Sequence, residues 1–279
     1  MNRQEFVKNR VKEHYEYLIK NTNYEVMYLA LQGSQNYGLD VYDEDYKSDI
    51  DTKAIVLPSF EDFVYNRKPV SETIILPNNE HIDVKDIRIM FDTFKKQNIN
   101  FIEILFSEFF IVNSKYVKQM SYLRDNAELI AHLNYNQALK CMAGMSKEKL
   151  KALQHPYPTI LDKIEKFGYD PKQLHHILRM NDFIKKYVQN KPYKECLIPD
   201  NKEYLIEIKK GILPCFEAVE LANRIDEDTY KVKENNLLEG NDEVDKEALK
   251  ILDKVKYEVL YNKFKEDLLG GSLNDTKRN

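Results

Sequence analysis

Two aspartates two residues apart, Asp49 and Asp51, stand at the head of the apolar run Thr52 to Leu57, which Pro58 closes. Side chains alternate along a strand, so both carboxylates would project from one face of it. Aspartate is depleted in strands, and a pair of them at the start of a buried one requires a reason. A hard divalent cation supplies one, because Mg2+ takes carboxylate oxygens from a single protein wall and completes its shell with substrate phosphate. The chain therefore has to place one end of a sheet at an open, polar site.

The residues before the pair fit the same site. Tyr24 to Leu31 reads as a strand that stops at Gly33-Ser34, where a tight turn exposes backbone N–H groups and a hydroxyl suited to phosphate. The spacing is not that of a P-loop, and no GxGxxG follows. The acidic loop Asp40 to Asp45 fails as a calcium loop, with Lys47 at the fifth position and Ser48 where glycine is needed. Lys53 shares the face of Asp51 and can reach a phosphate or run out to solvent. Val70 to Leu76 and His81 to Ile87 form a hairpin pattern around Pro77-Asn78-Asn79-Glu80. Within it, Asp83 lies on the face opposite Ile82 and Val84 and is the candidate third carboxylate. Asp86 is its rival, although it can instead cap the helix starting at Ile87. Glu103 sits in an apolar stretch, either at a strand edge or buried beside a partner.

The chain of 279 residues is 43% hydrophobic and 32% charged, enough for one large domain or two modest ones. A formal net charge of -4 announces no global nucleic-acid field, so any such partner has to be argued locally. Cys141, Cys196 and Cys215 form no CxxC pair and suggest neither a disulfide framework nor a thiolate metal site. The first twenty residues lack a signal-peptide core and no stretch is long enough to span a bilayer, so the expectation is a soluble, cytoplasmic protein with no membrane partner. Arg3 to Lys20 reads as an amphipathic helix. From about Ser114 strand signals fade, and helices are expected over 116–132, 134–145, 146–154, 171–189, 202–223 and 244–269. A loop is expected over 231–245, and Gly270-Gly271 as the stop of the last helix. The expected fold is α+β: residues 1–113 a mixed sheet flanked by helices, 114–279 a mostly helical domain completing the cleft.

The pattern Gly33-Ser34, Tyr37-Gly38, Ser48-Asp49-x-Asp51 and then a strand with Asp83 resembles the nucleotidyltransferase domain of the DNA polymerase β superfamily, in its small prokaryotic and phage type. Asn98 to Leu105 is similar to that type's N-x-N-x-x-E-x-L stretch. Gly168 to Arg179 is similar to its K-x-x-x-H-x-x-R helix, with Asp170 as N-cap and Pro171 as first residue. Lys172, His176 and Arg179 fall on one helical face; alone this would be a solvated stripe, but opposite carboxylates it becomes a phosphate clamp. The resemblance implies transfer of an NMP from an NTP, by default ATP, to a hydroxyl acceptor, with release of pyrophosphate. It implies Asp49, Asp51 and Asp83 as catalytic residues holding two Mg2+ ions, with Mn2+ also admissible. It also implies Gly33, Ser34, Ser48, Lys53, Lys172, His176 and Arg179 around the nucleotide. The acceptor, whether a small molecule, a protein or an RNA end, is left open. The rival reading is a non-catalytic nucleotide sensor or interaction protein on the same fold.

Overall fold

A computed structural model describes residues 2–42, 48–238 and 244–275. Helix α1 (Arg3–Asn21) starts at Asn2, whose side chain accepts the Glu5 N–H at 2.8 Å. The strands are β1 (Glu25–Gln32), β2 (Asp51–Leu57), β3 (Ser71–Ile75), β4 (His81–Asp86) and β5 (Phe110–Val112), with α2 (Phe60–Val64) after β2 and α3 (Ile87–Lys95) and α4 (Ile99–Ile102) after β4. They form one sheet in the order β3-β4-β2-β1-β5, in which β2 and β4 run parallel and the other pairs antiparallel. This is the mixed sheet of an α+β fold. The Phe101 to Phe106 stretch coils into short helical turns, which bury Glu103.

The two faces of the sheet have different fates. Val26, Leu29, Leu31, Ala54, Val56, Ile82 and Val84 pack against Val7, Val11 and Leu18 of α1 in a closed apolar layer. On the other face Tyr28, Ala30, Ile55 and Leu57 join a larger core with α3 and the helices that follow. Those helices are α5 (Val117–Asp125), α6 (Ala127–Ala131), α7 (Tyr135–Ala152), α8 (Leu161–Phe167), α9 (Pro171–Tyr187), α10 (Tyr193–Leu197), α11 (Lys202–Lys210), α12 (Cys215–Asn236) and α13 (Lys246–Asp275). Helix α9 sits at their centre, packed against α7, α10, α11 and α12. Helix α13 returns to the first half. Its Phe264 meets Phe60 and Phe63 at centroid distances of 5.7 and 5.3 Å, and Asp267 accepts the Phe60 N–H at 2.8 Å. The main core therefore runs across residue 113.

Several helix boundaries differ from the expected ones. The helix expected over 202–223 is broken, because Gly211 takes a left-handed φ of 83° and caps α11, and Pro214 then starts α12. Helix α12 continues to Asn236, through half of the expected loop, since charged residues are good helix formers on a solvated face. The segments 134–145 and 146–154 form the single helix α7, whereas 116–132 divides at Asn126 into α5 and α6. Helix α13 runs through Gly270-Gly271, where glycine weakens the helix without ending it. Asp43 to Asp45 of the acidic loop, residues 239–243 of the expected loop and the last four residues lie outside the described ones. Among the described residues no helix is long and apolar enough to cross a membrane.

Candidate active site

Gln32, the last residue of β1, pairs in register with Asp51, the first of β2, so the turn after β1 and the approach to β2 meet at one end of the sheet. Gly33 turns the chain there with φ 88°, a conformation that L side chains rarely adopt. A Cβ at Gly33 would meet nothing within 4 Å, so glycine is required by the backbone and not by space. The short turn Ser34–Asn36 is anchored by Asn36 Nδ2, which donates to Leu31 O at 2.9 Å. Gln35 Nε2 donates to Asp49 O at 2.6 Å and so ties the turn to the aspartate segment. Ser48 is a staple in that segment: its N–H donates to Val41 O at 2.8 Å and its hydroxyl accepts the Val41 N–H at 2.9 Å.

These residues form one wall of a cavity of about 220 Å³, to which Gly33, Ser34, Ser48, Asp49, Asp51 and Lys53 all contribute. Asp49 is exposed and Asp51 half-buried. Asp51 Oδ1 accepts the His81 N–H at 2.9 Å and lies 3.2 Å from His81 Nδ1. The ladder begins at Asp51, so Asp49 precedes the strand, and both aspartates line the cavity.

Asp83 stands beside Lys53 in the parallel register of β2 and β4. Its Oδ2 accepts from Lys53 Nζ at 2.9 Å, and its Oδ1 lies 2.9 Å from Lys85 Nζ. Burial pushes this carboxyl up, but the two lysines outweigh it and hold the group below the usual range. Asp83 does not line the cavity, although its β4 position puts it on the Asp51 face. Asp86 is committed elsewhere: its carboxylate caps α3, accepting the Arg88 N–H at 2.8 Å and Arg88 Nη2 at 2.6 Å. Lys53 is nearly buried, with its ammonium 4.3 Å from the Phe101 ring centre; burial pushes it down against the pull of Asp83.

Among the described residues no group of three His, Cys, Asp or Glu side chains is poised as a metal site. Asp49 and Asp51 nonetheless fit a divalent cation chemically, as hard oxygen donors at an open cavity where phosphate oxygens can complete the shell. Asp83 fits a shared third position only if Lys53 releases it.

The opposite wall is helical and cationic. Asp170 caps α9 by accepting the Lys172 N–H at 3.0 Å, and Pro171 occupies the first position, so the helix begins at the cavity. Lys172, His176 and Arg179 all line it, as the one-face spacing predicts. They do so differently. Lys172 is exposed, whereas Arg179 is 5% exposed, packs 4.1 Å from the Tyr37 ring centre, and lies 3.5 Å from Glu103 Oε2. The other oxygen of Glu103 accepts the Gly33 N–H at 3.2 Å. Burial pushes the Glu103 carboxyl up to about 7 against the pull of Arg179 and Gly33. Burial and the neighbouring His175 push His176 well down.

Sequence reasoning missed two contributors to this wall. His175, beside His176, also lines the cavity, with Nδ1 3.0 Å from Leu205 O; burial lowers it to about 3. Lys209 of α11 reaches in and donates to Ser48 Oγ at 3.2 Å and Leu39 O at 3.4 Å. Burial, with repulsion from Lys172, brings its ammonium down to about 8, against the attraction of Asp40 and Asp49. Nothing local marks it, since Lys209-Lys210 looks like the solvated end of a helix.

Comparison with known proteins adds one extensive match. The model of the RNA repair pathway DNA polymerase beta family matches residues 7–181, which include all of the strand-side wall and the cationic face of α9. No protein of curated function matches. Three solved chains match. One is the nucleotidyltransferase-like protein from Exiguobacterium sibiricum 255-15, at 8% identity, covering 91% of this chain and 80% of that one, with a TM-score of 0.29.

Proposed function

Since the chain belongs to the RNA repair pathway DNA polymerase beta family, we propose that it transfers a nucleoside monophosphate from an NTP, by default ATP, to a hydroxyl at an RNA end. The observation that carries this reading is the convergence of Asp49, Asp51 and the Gly33-Ser34 turn with the cationic face of α9 on one cavity. In the reaction the acceptor oxygen forms a bond to the α-phosphorus while the bond from that phosphorus to the β-bridging oxygen breaks. The hydroxyl proton is lost and pyrophosphate leaves. A divalent cation on Asp49 and Asp51, with a second shared by Asp83, would supply charge neutralisation at the entering and leaving oxygens; Mg2+ is the first choice and Mn2+ the next.

The chain's own residues do the positioning. The Ser34 hydroxyl and the Gly33 N–H would take phosphate oxygens, the latter once Glu103 gives it up. Lys172 and Arg179 would hold the polyphosphate from the opposite wall, with His176 as a neutral partner between them. Ser48 would act indirectly, by fixing the segment that carries Asp49. Lys53 would exchange Asp83 for a phosphate oxygen, freeing the third carboxylate. Such catalysis is mostly orientation and charge compensation.

The test is to incubate the protein and its Asp49→Asn variant with each α-labelled NTP, Mg2+ or Mn2+, and three acceptor classes: RNA oligonucleotides with a free 3′ hydroxyl, a protein extract and small hydroxyl compounds. Label on the RNA with the parent alone is the expected result. Label on protein or small molecules would keep the reaction and replace the acceptor. The clamp of Asp83 between Lys53 and Lys85 favours one second reading, a nucleotide sensor in which the third carboxylate stays neutralised. Heat protection by NTP with no labelled product under any condition would establish it.

A further inference from the structure

We infer that Glu103 is an internal stand-in for a substrate phosphate: a nucleoside triphosphate takes its place on Gly33 and Arg179, and the displaced carboxylate takes up a proton from solvent. The inference rests on the nucleotidyl-transfer reading and adds to it the exchange of one anion for another.

Geometry comes first. The two oxygens of Glu103 are divided between the walls, Oε1 accepting the Gly33 N–H at 3.2 Å and Oε2 lying 3.5 Å from Arg179 Nη2. Both donors are ones a nucleotide phosphate would use, so carboxylate and phosphate compete for the same places. The backbone beneath the carboxylate is fixed: Ile104 and Leu105 are buried, and Ile104 O accepts the Tyr28 hydroxyl at 2.7 Å. Displacement therefore needs a rotation of the side chain alone, which lines the cavity beside Asn100.

The exchange favours phosphate. Glu103 meets one nitrogen of Arg179 at a long distance, and the buried Nε of the same guanidinium has no acceptor among the described residues. A phosphate can accept two parallel N–H groups from a guanidinium, which is the stronger arrangement.

Burial then decides the fate of the carboxylate. Around its turn stand Arg179 and His176 of α9, Tyr193 of α10, Tyr28 of β1, Arg124 of α5 and Lys53 of β2. Burial keeps both tyrosines protonated and His176 neutral. Arg124 is taken by the Tyr28 hydroxyl and the Ser107 carbonyl, and Lys53 by Asp83. Arg179 is thus the cation that draws Glu103 down, and a phosphate that claims it also brings negative charge close. At 4% exposure Glu103 has little water to compensate. Its carboxyl already stands at about 7, and loss of that cation moves it higher. The bound state therefore holds this proton more tightly than the free protein. Affinity is fully expressed below about 7 and weakens about tenfold for each pH unit above it.

The experiment is calorimetric titration of the parent and Glu103→Gln with α,β-methylene-ATP, which cannot be cleaved between its first two phosphates, in Mg2+ at pH 6 and pH 8. At pH 8 Glu103→Gln should bind about tenfold more tightly than the parent, and at pH 6 the two should agree within about twofold. Taking the ratio of the two proteins cancels the titration of the ligand and of other groups in the cavity. A ratio that does not change with pH, or a variant that binds more weakly than the parent at both, would overturn the inference and leave Glu103 as a brace. If Glu103→Gln does not fold, the parent still decides. Labelled with 13C-glutamate, it should gain an infrared absorption of protonated glutamate when the same ligand binds at pH 8, and an unchanged carboxyl region would overturn the inference. A parent that bound neither this ligand nor inorganic triphosphate at either pH would remove the nucleotidyl-transfer reading itself, and this inference with it.

Discussion

The two walls of the cavity solve the same electrostatic problem by opposite means. The strand-side wall presents Asp49 and Asp51 at the open end of a sheet, where one is exposed and the other half-buried. Carboxylates placed there keep much of their hydration, so little of the fold has to change to support them. The helical wall buries two of its charges. Arg179 is 5% exposed and Lys209 7%, and each needs partners drawn from distant parts of the chain: Glu103 and Tyr37 for the first, Ser48 and Leu39 for the second. Asp49 and Asp51 can therefore be altered for chemistry alone, whereas changes at Arg179 and Lys209 act on chemistry and stability together.

Four measurements would break or sharpen this contrast. The largest effect is expected for Asp49→Asn or Asp51→Asn, which should lower metal-dependent pyrophosphate release by about a thousandfold or more. Melting temperature in those variants should stay within about 2 °C of the parent, because neither side chain is deeply buried. A large fall in thermal stability would erase the distinction between the walls. Next comes Arg179→Ala, which should weaken NTP binding and also cost about 3 kcal/mol in urea unfolding, because Glu103 is left buried without its cation. The double variant with Glu103→Ala should regain part of that stability, and simple additivity would show that the pair does not act as a unit.

A third test uses pH. The Glu103 carboxyl stands at about 7 in the fold, against an ordinary value of 4.5. The folded state thus binds this proton more tightly than the unfolded state, and the stability this contributes is fully present below about 4.5 and lost as pH climbs through 7. Relative to Glu103→Gln, the parent should lose on the order of 2 kcal/mol between pH 5 and 7.5 in denaturant titrations. Parallel curves for the two proteins would show that Glu103 is ionised throughout. The smallest effect is expected for Lys172→Ala. This lysine is exposed, so NTP affinity should fall about fivefold with the melting temperature unchanged. A loss of stability would place Lys172 with the buried groups.

How legible each wall was in the sequence follows from the same contrast. Asp49, Asp51, Gly33 and Ser34 signal themselves locally, since carboxylates at a strand start and a glycine at a strand end are unusual residues for their positions. The shared face of α9 was legible from spacing, because Lys172, His176 and Arg179 repeat at helical intervals after a cap. The pairing of Arg179 with Glu103 was not, since the two are 76 residues apart and only packing brings them together. Lys209 lay in an ordinary amphipathic helix and became visible only through its contact with Ser48, 161 residues away. The break at Gly211 to Pro214 was misread for a related reason: the apolar spacing continues across it, and the left-handed cap outweighs that periodicity.

Helix α13 sets an order of events during synthesis. Its contacts with the first half span most of the chain, from Phe60 to Asp267, from Lys95 to Asp253 and from Glu25 to Lys263. A ribosome that had released the sheet and α3 would still hold back the helix that covers them. The nascent first half would then leave Phe60 without its α13 partners until some two hundred further residues had emerged, as its 207-residue separation from Asp267 requires. The strand-side wall of the cavity would form early, and the molecule that supports it would be finished last.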